Sequence, residues 1–174
     1  KYLAGHVPGA ISVRDEQVRE ARGSIPAAML PAGSLGELFG RLGISPERPV
    51  LVYADGEDPL PATLVAYALL KAGHPRVRVL DGGFDAWSGS GAVTQEFPTV
   101  APTAWTASPA ERIAAELADV RRAQETDEAA FVDARPPKVF RGEGKAWKRN
   151  GHIPGAVNLD WQSLVQADNK ALLK

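Results

Sequence analysis

Gly5-His6-Val7-Pro8-Gly9-Ala10 returns 146 positions later as Gly151-His152-Ile153-Pro154-Gly155-Ala156, with five of the six residues identical. The sixth exchanges one β-branched residue for another. Each copy runs on into a short apolar stretch, Ile11-Ser12-Val13 and Val157-Asn158-Leu159. A period near the size of one domain points to two related domains rather than to a solenoid, whose repeats are far shorter. A histidine in a repeated motif invites a catalytic reading. The Pro-Gly pair favours a different one, in which His6 and His152 order a turn through backbone hydrogen bonds while Pro and Gly set its dihedrals.

Outward from the first copy, residues 10–13 read as a short strand leaving the turn. Residues 14–33 contain Gly23, Pro26, Pro31 and Gly33 and read as an irregular connection. Ser34 and Glu37 have the spacing of a capping box. Leu35, Leu38, Phe39 and Leu42 then form one apolar helical face, stopped by Gly43. Residues 49–54 are a continuous apolar run, the pattern of a strand buried on both faces. An acidic loop, Asp55-Gly56-Glu57-Asp58, leads into a helix over 61–72 that Gly73 ends. A strand over 76–80 follows, then Asp81-Gly82-Gly83 and a short helix from Phe84. Two glycines after a strand are weak evidence for phosphate binding, so this reads as a turn. Strands alternating with helices predict a parallel sheet.

Residues 89–109 are rich in Gly and Pro and read as a linker, with Phe97 and Trp105 as anchors onto a domain surface. Beyond it come a charged helix over 116–124, a buried strand over 130–133, a loop holding Phe140, Arg141, Gly142 and Glu143, and the second copy. The expected organisation is a first domain over 1–88, the linker over 89–109, and part of a second domain over 110–174.

With 20 basic and 21 acidic residues, the chain has no overall attraction for nucleic acid or anionic membranes. No apolar run approaches the roughly 20 residues a bilayer span needs. Lys1-Tyr2-Leu3-Ala4-Gly5 is not followed by a signal-peptide core, and the expected compartment is the cytoplasm. The chain has no cysteine, which excludes disulfides and thiolate or iron–sulfur chemistry within it. His6, His74 and His152 lack metal-ligand spacing, and no metal or organic cofactor is expected. His74, after a helix-ending glycine, reads as a helix-end cation or a solvated residue. Lys145, Lys148 and Arg149 around Trp147 read as a solvated basic loop.

Overlaid on the repeat, the two copies compose one unit that resembles the rhodanese (thiosulfate sulfurtransferase) domain, and the whole chain resembles the centre of a tandem rhodanese. The carrying residues are Val132-Asp133-Ala134-Arg135, Phe140-Arg141-Gly142-Glu143, both repeat copies, and Val79-Leu80-Asp81-Gly82-Gly83-Phe84-Asp85-Ala86-Trp87. The resemblance implies an α/β fold: an open parallel sheet with helices on both faces, a nearly complete first domain without its first strand, and the start of a second.

It also implies a chemistry. In that family a cysteine at the tip of the loop after a buried strand carries a sulfane sulfur as a persulfide, loaded by thiosulfate and unloaded by cyanide or another thiophile. Ala54 or Asp55 stands at that position in the first domain, which should therefore be inert. Three carboxylates nearby would also repel an anionic donor. In the first copy the corresponding strand begins about 45 residues after the repeat, whereas 18 residues follow Ala156. The cysteine is thus expected beyond Lys174, and these 174 residues are expected to be inactive. Arg141 and Arg135 are the candidate contacts for a small anionic sulfur donor, and Asp133 is a structural partner of Arg135. Family members often carry arginine just before the aromatic at Phe140, where this chain has Val139. The two domains are expected to pack on each other. Two alternatives stand beside this reading: a cysteine-free docking or regulatory module, and a relative of the dual-specificity phosphatases.

Overall fold

A computed structural model describes residues 1–56, 58–108, 113–144 and 148–166. Two compact units divide the chain, Lys1–Ala114 and Ala115–Lys174. The expected features at Glu57, Pro109, Lys145 and Trp147 fall outside the described residues; Lys148 and Arg149 are exposed.

The first unit runs through β1 (Arg19–Arg22), β2 (Ile25–Met29), α1 (Ala32–Arg41), β3 (Val50–Val52), α2 (Leu60–Lys71), β4 (Val77–Val79) and α3 (Gly83–Ser88). Strands β3 and β4 pair in parallel, Val50 opposite Val77 and Val52 opposite Val79. A parallel pair needs a crossover, and α2 supplies it. Both helices end where their glycines permit it. Gly43 takes φ of +75° and Gly73 φ of +90°, conformations in which a Cβ is disfavoured. Val18, Leu35, Phe39 and Leu69 are at most 1% exposed and form the core with Val65 and Ala68. Full burial of such side chains contributes about 1.5–3 kcal/mol each.

Residues 14–33 are more ordered than their composition predicts. β1 and β2 form an antiparallel hairpin around Gly23, which has φ of +58° as a two-residue hairpin turn requires. Its residues are largely exposed and β1 carries Arg19, Glu20 and Arg22, so no apolar alternation marks it. Helix α1 begins at Ala32 after Pro31, and Ser34 lies inside the first turn without a capping role. Proline's fixed φ has set the start ahead of the serine. Strand β3 is covered on one face only: Val50 and Val52 pack on the core, while Leu51 is 55% exposed.

The segment read as a linker lies on α1. The Thr103 N–H donates to the Gly40 carbonyl at 2.8 Å, and its hydroxyl donates to the Ile44 carbonyl at 2.8 Å. Trp105 is buried, its ring 5.9 Å from Phe39 and edge-on to His74 at 5.6 Å. Gly40 makes this approach possible, because a Cβ there would stand 2.6 Å from the Thr103 oxygen. Trp105 is thus a buried anchor, whereas Phe97 is 68% exposed and lies over the first turn, its ring 5.9 Å from Tyr2 and 6.5 Å from His6. His74 is buried rather than solvated. It is 2% exposed, its Nδ1 accepts the Arg76 N–H, and its Nε2 faces the Ser45 carbonyl.

The second unit contains α4 (Leu117–Thr126), β5 (Val132–Asp133), α5 (Pro137–Phe140) and β6 (Val157–Asn158). β5 and β6 pair in parallel, Val132 opposite Val157. Val132 and Val157 are 57% and 60% exposed, so β5 is not the buried strand its sequence predicts. The segments after the two repeat copies also part company: residues 157–158 form a strand, residues 10–13 do not.

Replacing Trp105 by alanine should lower the unfolding free energy by about 3–5 kcal/mol, the usual cost of truncating a buried aromatic. Replacing the exposed Phe97 should cost less than about 1 kcal/mol. Urea midpoints of the two variants distinguish a docked segment from a loose one.

Candidate functional site

The loop after β3 is built from backbone rather than reactive side chains. Tyr53 ends the strand, stacks on Phe84 at 6.1 Å, and through its hydroxyl accepts the Val7 N–H at 3.1 Å. That bond ties the repeat turn to the loop. The Ala54 carbonyl accepts the Phe84 N–H at 2.7 Å. Gly83 has φ of +57°, and a Cβ on it would stand 2.8 Å from the Ala54 oxygen and 2.9 Å from the Gly56 nitrogen. Asp81-Gly82-Gly83 is therefore a turn that lets the start of α3 lie against the loop. Asp55 pairs with Lys1 at 3.0 Å, and Asp58 accepts the Leu60 N–H at 2.9 Å at the start of α2. Neither Ala54 nor Asp55 offers a thiol.

The two histidines are held alike. His6 stacks on Tyr2 with centroids 3.8 Å apart and planes 12° apart, and its Nδ1 lies 3.0 Å from the Tyr2 carbonyl. His152 stacks on Phe140 at 3.7 Å and 11°, its Nδ1 2.7 Å from the Phe140 carbonyl. Each ring thus lies flat on an aromatic while binding that residue's own backbone. The aromatic precedes the histidine by 4 residues in one copy and 12 in the other. Their surroundings differ. His6 is 1% exposed, with Nε2 3.1 Å from the Glu96 carbonyl and a backbone bridge to Thr94; His152 is exposed. The Tyr2 hydroxyl donates to the Ala10 carbonyl at 2.6 Å, closing the turn. Burial, and then the neighbouring Tyr53, raise its pKa.

Asp133 and Arg135 form the densest polar cluster of the second unit. Asp133 Oδ1 accepts both the Arg135 backbone N–H at 3.0 Å and its Nε–H at 2.9 Å, while Oδ2 accepts Nη2 at 2.5 Å. Nη2 also donates to the Gly151 carbonyl at 2.7 Å. Asn158 Nδ2 donates to the carbonyls of Asp133 and Arg135 at 2.9 and 2.8 Å. The end of β5, the repeat turn and β6 are stitched together at this point. Arg141 stands apart on the surface, with its Nε 2.6 Å from Glu143 and both side chains at least half exposed. Among the described residues no cluster of His, Asp or Glu could hold a metal ion.

Several of these roles escape a reading of the sequence. Tyr53 and Asn158 act through single polar groups at strand ends, where no pattern flags them. Phe140 and Tyr2 do stand upstream of each repeat, but their unequal spacing hides the correspondence.

The guanidinium of Arg135 holds the Asp133 carboxyl at about 2, well below its ordinary value. A lowered folded-state pKa means that the unfolded chain binds more protons between about pH 4 and 2. Stability from this pair is complete above that window and lost as pH falls through it. The urea midpoint should fall across the window in the parent chain, and Asp133→Asn should flatten that part of the profile.

The rhodanese-like domain family model matches residues 1–90 and 116–174. The chain is 40% identical to a Synechococcus elongatus protein assigned to the thiosulfate sulfurtransferases, aligning over 97% of its own length and 52% of the relative's. To the thiosulfate sulfurtransferase of Azotobacter vinelandii it is 32% identical over 95% of its length and 61% of the relative's. It therefore spans between about half and about three fifths of these curated relatives. The crystal structure of SseA from Escherichia coli, a 3-mercaptopyruvate sulfotransferase of rhodanese fold, superposes with a TM-score of 0.85 at 26% identity, covering 99% of this chain and 65% of SseA. With matched segments in both units, an α/β fold and relatives aligned along nearly all of it, the chain belongs to the rhodanese-like domain family.

Proposed function

We propose that this chain is part of a sulfurtransferase that carries sulfane sulfur on a cysteine outside these 174 residues. In that scheme the thiolate attacks the outer sulfur of thiosulfate, the sulfur–sulfur bond breaks, and sulfite leaves. A thiophile such as cyanide then attacks the outer sulfur of the persulfide, thiocyanate leaves, and the thiolate is restored. The reading rests above all on the loop after β3, where the family's nucleophile position holds Ala54 and Asp55 and Gly83 lies against the loop backbone. The first unit is then a structural partner of the catalytic unit. Sequence relatedness to thiosulfate and 3-mercaptopyruvate sulfurtransferases supports the chemistry.

Arg141 is the proposed first contact for the anionic donor, and it would exchange Glu143 for the donor on binding. Arg135 is already committed to Asp133 and the Gly151 carbonyl, so its proposed part is to hold the turn in place. No helix is long and apolar enough to cross a membrane among the described residues. The proposed compartment is the cytoplasm.

The test is thiocyanate formation from thiosulfate and cyanide. A longer protein containing this chain should turn over, and the 174-residue chain should not. In the longer protein Arg141→Ala should raise KM for thiosulfate several-fold with kcat little changed. A longer protein that binds partners yet makes no thiocyanate, from thiosulfate or 3-mercaptopyruvate, would establish the docking-module alternative instead.

A further inference from the structure

The second repeat copy is entered through Asn150-Gly151, where the first is entered through Ala4-Gly5. Asn150 is exposed and belongs to neither helix nor strand. Gly151 takes φ of +99° and has no Cβ to crowd the approach to its nitrogen. Among the described residues none accepts the Gly151 N–H, although the Gly151 carbonyl accepts Arg135 Nη2 at 2.7 Å. Lys148 and Arg149, just ahead of Asn150, are exposed cations. Positive charge nearby favours the anion formed when that N–H loses its proton. The Asn150 carboxamide carbon is an electrophile, and the Gly151 nitrogen is a nucleophile that reaches it by closing a five-membered ring.

Asn158, the other asparagine among the described residues, is placed in the opposite way. Its Nδ2 donates to the carbonyls of Asp133 and Arg135 at 2.9 and 2.8 Å, so the carboxamide is held away from its own backbone. The nitrogen that follows belongs to Leu159, and its N–H is spent on the Asp133 carbonyl at 3.0 Å. Ring closure at Asn158 would break all of these bonds within the β5–β6 pair and would meet a branched side chain. The fold therefore protects one asparagine and leaves the other reactive.

We propose that Asn150-Gly151 is a self-modifying site, at which the folded chain releases ammonia and takes up water to leave isoaspartate or aspartate at position 150. The Gly151 N–H gives its proton to hydroxide, and the nitrogen attacks the Asn150 Cγ. The bond from Cγ to the side-chain nitrogen breaks, ammonia leaves, and a succinimide remains. Water that attacks Cγ restores the ordinary main chain with aspartate. Water that attacks the backbone carbonyl carbon leaves the main chain running through the side chain, as isoaspartate. Both products add a negative charge beside Lys148 and Arg149. Isoaspartate also lengthens the main chain by one carbon immediately ahead of Gly151. That residue is closely fitted: its carbonyl holds Arg135, and a Cβ on Gly142 would stand 3.2 Å from its nitrogen. Isoaspartate therefore loosens the second turn, whereas aspartate leaves its path unchanged. The first turn, entered through Ala4, has no such reaction. The inference is independent of the sulfur chemistry above.

The test is to age the intact, folded 174-residue chain in mildly alkaline buffer and to map its peptides by mass spectrometry. Electron-transfer fragmentation separates isoaspartate from aspartate. Product should accumulate at position 150 at least ten-fold faster than at Asn158, with an equal amount of ammonia released. The rate should fall several-fold on return to neutral pH and should lie within several-fold of that of a free peptide of residues 148–154. Hydroxylamine should cleave the aged chain between Asn150 and Gly151, and Asn150→Gln, whose carboxamide is one carbon too distant, should abolish cleavage there. The isoaspartate-containing fraction should show a lower urea midpoint than the parent chain, and Asn150→Asp should not. A folded chain that reacts at least ten-fold more slowly at Asn150 than the free peptide overturns the site. Equal rates at Asn150 and Asn158 also overturn it. An isoaspartate fraction with the same midpoint as Asn150→Asp overturns the loosening of the turn.

Discussion

A parallel β-strand cannot satisfy its own backbone, and this constraint governs how much of each unit forms. Val157 and Asn158 are a strand because the carbonyls of Phe131 and Asp133 accept the N–H groups of Val157 and Leu159. Val50 to Val52 are a strand because β4 runs beside them. Residues 11–13 follow the same turn with the same apolar character, yet they stay irregular. Strand propensity is a statement about surroundings, and similar apolar stretches give different outcomes when the surroundings differ.

The repeat turn carries no such dependence. Its proline and glycine fix the path locally, and its histidine is fastened by a stack and a backbone contact to one aromatic. That fastening works over a loop of 4 residues or of 12. In both units the observed contacts of the histidine are a stack and a backbone carbonyl. The intervening loop can vary in length without moving the turn.

The features legible in the sequence were those set by few neighbours: the helical faces of α1 and α2, the glycines that end them, the apolar cores of β3 and β4, and the repeat. Those that escaped depend on contacts distant in sequence. The β1–β2 hairpin has Arg19, Glu20 and Arg22 where alternation would be sought. Ser34 looks like a cap, but Pro31 starts the helix first. Leu51 sits in an apolar run that suggests burial on both faces, and its exposure follows from which side α2 covers. At the site, the absence of a thiol at Ala54 and Asp55 was plain from residue identity. The close packing of Gly83 against the Ala54 carbonyl required coordinates.

The Gly/Pro-rich stretch after α3 bears on how freely the first unit can be moved between proteins. Trp105 fills space against Phe39 and His74, and Thr103 bonds to the backbone of α1. A fragment cut at the end of α3 would leave an aromatic-sized void over two core residues. Such a piece would emerge as a sticky intermediate rather than a module. Recombination or limited proteolysis that preserves the unit must therefore act after the tryptophan, well beyond the last helix.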